Sequence, residues 1–165
     1  DKDGLIARSG ICNPDLLNQL LNDTYHTLSY PKSLDNTWSQ IHHVIPTIQW
    51  NDSVPNKLNT AVEFICITIS NDINALIERN KHHTMVATGG GAMNIYLIER
   101  LQAHLPQVKI ILPEADIISF KEAAFMALAG LFRKLGVVNI FSSVTGAQID
   151  TINGAMYSSQ IATRI

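Results

Sequence analysis

"VATGGGAMN", residues 86–94, joins a short apolar run to a helix-like pattern through three consecutive glycines. Backbone without Cβ lets a ligand approach closely, and the N-terminus of the following helix offers unpaired N–H groups. One glycine would be accounted for by a tight turn, whereas three in a row favour a binding loop. In α/β proteins ligands sit at this position, outside the carboxyl end of a parallel strand.

The flanking pattern supports that placement. Leu58, Ala61, Val62, Ile65, Cys66, Ile69, Ile73, Leu76 and Ile77 recur three or four apart, so residues 55–80 are expected to form a long amphipathic helix with one face buried. "TMVAT" then reads as a buried strand. Ile95, Ile98, Leu101 and Leu105 mark a helix that ends near Pro106, and "VKIIL" is a second buried strand closed by Pro113. Strand, helix, strand, helix in succession predicts an α/β fold with parallel strands and helices packed on the sheet.

Upstream, "DKDG" (1–4) reads as a turn between two strands and residues 5–8 as a short strand ended by Gly10. Asn13 suits the cap of a helix that starts at Pro14 and presents Leu16, Leu17, Leu20 and Leu21. A short helix is expected around Trp38, Ile41, Val44 and Ile45, ended by Pro46. Ser119 is expected to begin a later helix with Ala123, Phe125, Ala127, Leu128, Leu131 and Phe132 available for packing. Residues 136–165 read as irregular, with Gly and Ser turns and a loose end.

Composition narrows the function classes. The 165 residues are 46% hydrophobic and 16% charged, ordinary for one globular domain with a sizeable core. A net charge of −2 without a basic stripe argues against nucleic acid as a partner. No apolar run approaches the roughly 18 residues of a membrane span. Cys12 and Cys66, each beside aliphatic residues, argue against a disulfide framework and fit a reduced, cytoplasmic setting. The chain opens at Asp1 without an initiator methionine, so it is expected to be a piece of a longer protein.

Two nucleotide fingerprints can be tested on the loop. Gly89-Gly90-Gly91 supplies G-x-G of a Rossmann dinucleotide site and Glu114 follows the next strand as a ribose acid would, but Asn94 occupies the third glycine position. No lysine followed by Ser or Thr closes a Walker loop. The pairs His42-His43 and His82-His83 are adjacent in sequence, which puts neither pair on one helix face, and no metal-ligand spacing joins them. They read as surface or loop histidines, and no metal site is expected.

"GGGAMN" followed by "YLIERLQAHLP", then "KEAAFMALAG", then "SSVTGA", resembles the C-terminal half of the anhydro-N-acetylmuramic acid kinases. "DKDG" and the "PKS" of residues 31–33 are further landmarks in the same order, so the resemblance spans nearly the whole chain. It implies the RNase H-like, actin-like ATPase fold of the actin, hexokinase and Hsp70 superfamily, in which two domains close on ATP. It also implies an activity: with ATP and Mg²⁺, 1,6-anhydro-N-acetylmuramic acid is hydrolysed and phosphorylated to N-acetylmuramic acid 6-phosphate in cell-wall recycling.

On that resemblance residues 1–165 are one domain, the C-terminal half of a two-domain kinase. Gly89, Gly90, Gly91 and Asn94 then line the nucleotide side of the cleft near the adenosine, and Glu122 contacts the sugar. Ser119-Phe120-Lys121-Glu122 is also a capping-box pattern, which alone would explain Glu122. The phosphate loop and the water-activating aspartate of the family belong to segments outside this chain. Asp1 and Asp3 are read as turn carboxylates rather than substitutes, and the chain alone is expected to be inactive. Homodimerisation is a further implication. Glu99 and Arg100 are expected on a solvated face, Met93, Ile95 and Ile98 in the core, and "SVTGA" in a structural loop. A non-catalytic, chaperone-like member of the superfamily is the alternative from another class.

Overall fold

The computed structural model describes residues 1–28, 32–78 and 81–157. Pro31 of "PKS", the last residues of the expected long helix and the expected loose end at 158–165 lie outside them. The chain divides into two compact units, Asp1–Glu114 and Ala115–Ile165.

The first unit opens on a correction. Lys2–Gly4 form a 3₁₀ turn and Leu5–Arg8 a short helix, α1, where a strand was expected. Asp1 decides this: its carboxylate oxygens accept from the backbone N–H of Ile6 and Ala7, at 2.9 Å each. Those donors are orphan amides at a helix start. Asp3 (φ 57°) and Gly4 (φ 74°) supply the left-handed turn that brings Asp1 over them.

Helix α2, Pro14–Leu21, follows as expected, with Asn13 Oδ1 accepting from Asp15 and Leu16 N–H. Asn36–Ser39 (α3), a π turn over Gln40–Val44 and Ile45–Gln49 (α4) come next. Pro46 was expected to end a helix here, yet it stands in the first turn of α4. The wider π turn directly before it accommodates a residue with no N–H to donate.

Helix α5, Val54–Leu76, is the spine of this unit. Val62 and Cys66 join Ala7, Leu101, Leu105 and Val108 in one core, while Phe64 joins Leu16 and Leu20 in another. Leu16 and Leu20 are fully buried, and each contributes about 2 kcal/mol relative to exposure. The expected single apolar face is only part of what α5 buries. Asn59, Thr60, Glu63 and Ser70 are buried too, whereas Ile65 and Ile69 remain partly exposed. Each buried polar residue has a hydrogen-bond partner, as burial requires.

Strand β1 (His83–Val86) pairs in parallel with β2 (Val108–Ile111), in the register His83–Val108 to Val86–Ile111. Helix α6, Ile95–His104, makes the crossover between them. The α/β class and the parallel pair expected from the sequence are therefore present.

The second unit holds α7, Ala115–Leu135, and the single-turn α8, Ser142–Thr145. Helix α7 starts one turn earlier than expected, so Ser119 is interior and no capping box forms. "SVTGA" is not a loop: Asp150 Oδ1 accepts from the backbone N–H and the hydroxyl of Ser142 at 2.7 Å each, and left-handed Gly146 ends α8. Asn139 ties the remainder together, donating to the carbonyls of Ala129 and Asn153 beside an antiparallel bridge from Ile140 to Thr151. Among the described residues no helix is long and apolar enough to cross a membrane.

Candidate functional site

Chain direction reverses immediately after β1. Gly89 lies at φ 93°, ψ 176°, a conformation essentially restricted to glycine. Gly90–Met93 then make one 3₁₀ turn, and Asn94 caps α6 by accepting the Leu97 N–H at 3.0 Å. Gly89, Gly90, Gly91 and Asn94 are thus brought together between the carboxyl end of β1 and the N-terminus of α6.

The glycines differ in what requires them. A Cβ on Gly91 would stand 3.7 Å from Leu97 Cδ2, an ordinary contact, and one on Gly90 would meet nothing within 4 Å. Packing therefore demands neither as glycine, and Gly90 leaves bare backbone facing open space. Gly91, alone of the four loop residues, helps line a cavity of about 350 Å³ whose other walls include Ile69, Met85, Ala87, Thr88 and Leu97. No charged side chain lines it. Such a cavity suits a flat, largely apolar group such as a nucleobase, and holds no clamp for a phosphate.

The helix behind the loop is pinned from three directions. Gly4 approaches so closely that a Cβ there would stand 2.3 Å from Asn94 Oδ1 and 2.5 Å from Tyr96 Cβ. Asn59 Nδ2 is 2.9 Å from Tyr96 Oη, and the Arg8 guanidinium lies 4.9 Å above the Tyr96 ring. Farther along α6, Glu63 takes Arg100 through both carboxylate oxygens and His104 Nε2 at 3.0 Å. Burial pushes the Glu63 carboxyl up, but hydrogen bonds and charge from Arg100 and His104 outweigh it and hold the group below the usual glutamate range.

Arg100 thus anchors α6 to Glu63 while its side chain still reaches solvent, and Glu99 is half exposed and pairs with Arg8 at 2.5 Å. Met93 and Ile95 are exposed, not core, while Ile98 borders the cavity. Asn59 had no role in the sequence reading, and Gly4 and Tyr96 entered it only as members of the "DKDG" and "YLIERLQAHLP" motifs. The available signal was that Asn59 and Glu63 stand four apart on α5.

Glu122 falls in the second unit, two turns into α7. It makes no capping bond, and it stands beyond the first turn, where the positive end of a helix acts. Glu114 lies in the link after β2.

His82 is exposed in the segment before β1 and His42 is exposed, as expected, whereas His43 is half-buried among aromatic rings. His42 stacks on Trp38 at 4.2 Å and lies 2.7 Å from Asp23 Oδ2, and His43 packs against His26 and Phe64. His83 begins β1. Lys32 Nζ is 3.9 Å from Asp72 Oδ1 and 5.1 Å from the centre of the Tyr25 ring. Among the described residues no group of three His, Cys, Asp or Glu side chains could hold a metal ion.

Comparison with known proteins matches residues 1–159 to the family model of anhydro-N-acetylmuramic acid kinase. The kinase of that name from Shewanella sp. (strain W3-18-1) is 32% identical over 167 residues, 97% of this chain and 44% of the relative. Its counterpart from Psychrobacter arcticus is 30% identical over 164 residues, 93% of this chain and 38% of the relative. The chain thus spans less than half the length of these relatives. Motif order, loop geometry and these matches agree: the chain belongs to the anhydro-N-acetylmuramic acid kinase family.

Proposed function

We propose that this chain is the C-terminal, RNase H-like domain of an ATP-dependent sugar kinase, and that Gly89, Gly90, Gly91 and Asn94 receive the adenosine of ATP. The observation carrying the proposal is the bare glycine backbone beside an apolar cavity at the carboxyl end of a parallel strand. The cavity fits a base and ribose. The phosphates and Mg²⁺ fall to segments outside this chain, which supply the phosphate loops and the general-base aspartate.

ATP would provide the transferable phosphoryl group. The residues of this chain orient the nucleotide through its nucleoside end, and Glu122 contacts the sugar. The intact enzyme would act on 1,6-anhydro-N-acetylmuramic acid, adding water across the anhydro bond and yielding N-acetylmuramic acid 6-phosphate and ADP. The setting is cytoplasmic cell-wall recycling, the intact protein self-associates as a dimer, and residues 1–165 alone are inactive. The dinucleotide alternative has less support, because the position that a third glycine would fill is a capping asparagine.

The test is phosphorylation of the anhydro sugar by the intact protein, with product identified by mass. Turnover that falls at least tenfold in Glu122→Ala supports the assignment. No turnover from a folded protein that binds ATP moves the reading to a non-catalytic, chaperone-like member of the superfamily.

A further inference from the structure

We infer that Asn59 and Tyr96 are positioning residues that set the glycine loop for nucleotide, an inference resting on the nucleotide reading above. Asn59 is 6% exposed, in the middle of α5, and is not among the residues lining the cavity. Its Nδ2 lies 2.9 Å from the Ala7 carbonyl, 3.1 Å from the Gly10 carbonyl and 2.9 Å from Tyr96 Oη. Two N–H groups thus span three acceptors. The Ala7 carbonyl, which also accepts the Gly10 N–H at 3.1 Å, and the Gly10 carbonyl belong to the turn that closes α1, and they would satisfy a merely structural asparagine. The third contact reaches the first turn of α6, two residues beyond Asn94.

Tyr96 is where the restraints converge. Asn59 holds its hydroxyl, Arg8 covers its ring, and Gly4 abuts both its Cβ and the Asn94 side chain. The "DKDG" turn, α1 and α5 therefore fix the first turn of α6. That turn carries the Asn94 cap and, through it, the end of the loop. A binding loop displaced by even 1 Å loses much of its complementarity, so the phenol hydroxyl acts on the nucleotide without touching it.

The experiment titrates ADP into the intact protein by calorimetry and separates the KM for ATP from the KM for the anhydro sugar. Tyr96→Phe keeps the ring beneath Arg8 and removes only the hydroxyl. It is expected to weaken ADP about three- to tenfold, the equivalent of one hydrogen bond. The KM for ATP should rise in parallel while that for the sugar stays constant. Asn59→Ala should weaken ADP to a similar degree, and the double variant no more than the worse single, because the two act as one unit. Gly91→Val, at the one loop glycine that lines the cavity, serves as the control on the loop itself.

If Gly91→Val abolishes ADP binding but Tyr96→Phe binds within twofold of the unaltered protein, the positioning role is wrong and the nucleotide reading survives. A rise in both KM values together would mark a purely structural effect and also overturn it. If the unaltered protein binds no ADP, or Gly91→Val binds normally, the nucleotide reading fails and the positioning role with it.

Discussion

Glu63 on α5 receives Arg100 of α6 through both carboxylate oxygens, and its second oxygen also meets His104 one turn farther along. The three residues lie 37 and 41 positions apart in sequence and clamp the helix that carries the glycine loop to the spine of the first unit. The Glu63 side chain is 11% exposed, so its charge depends on these partners rather than on water.

Glu63→Gln should destabilise the protein by about 2 kcal/mol, less than the roughly 3–5 of a fully buried broken pair because Arg100 reaches solvent. Urea unfolding at neutral pH measures it. An unchanged midpoint would contradict the clamp.

Acid should release the same interaction. The Glu63 carboxyl titrates lower in the folded protein than in the unfolded chain, where it ionises at about 4.3. The unfolded state therefore binds the proton first. The contribution is complete above that value and is lost as pH falls through the lower, folded one. Stability of the unaltered protein should decline more steeply below about pH 4.5 than that of Glu63→Gln. Parallel acid limbs would show that Glu63 is not coupled to folding.

Two glycines should respond oppositely to alanine. At Gly10 a Cβ would stand 2.1 Å from the Pro55 carbonyl oxygen and 2.3 Å from its carbon, backbone atoms that cannot swing away. Gly10→Ala should cost about 2–3 kcal/mol. Gly90→Ala faces open space and should change stability by less than about 0.5 kcal/mol. Thermal unfolding of the pair is decisive, and equal effects would contradict the loop geometry.

Asn94 has a capping role and a proposed ligand role, and substitution separates them. Asn94→Ala should cost about 1 kcal/mol through the lost bond to Leu97 N–H. Asn94→Asp keeps the acceptor and should remain within roughly 0.5 kcal/mol, yet bind ADP about tenfold more weakly for want of the amide donor. Undiminished ADP affinity in Asn94→Asp would leave Asn94 as a cap alone.

The cysteines should differ sharply toward a thiol reagent. Cys66 is fully buried, and burial pushes its thiol up to about 12, so little thiolate is present. Cys12 is partly accessible, its thiol also raised by burial. One thiol should therefore react slowly in the native protein and the second only after unfolding. Two native equivalents would contradict the burial of Cys66.

Local chemistry explains which parts of the fold were legible. Asn13 before Pro14 and the alternation of apolar strands with helical periodicity are short-range signals, and the capped helix and parallel pair followed from them. The α1 helix was hidden because its cap comes from Asp1, five and six residues before the amides it binds. Ser119 and Glu122 fit a capping box whose spacing equally suits a helix interior, and α7 had already begun at Ala115. The glycine loop was legible as a turn from strand to helix. Its support was not, because Asn59 and Glu63 find their partners only once α5 and α6 pack together.

The most direct measurement of the central claim is hydrogen exchange of the intact protein with and without Mg-ADP. Slower exchange across residues 86–98, the loop and the first turn of α6, is the expected result. Unchanged exchange there, with ADP bound and protection confined to other segments, would show that the glycine loop does not hold the nucleotide.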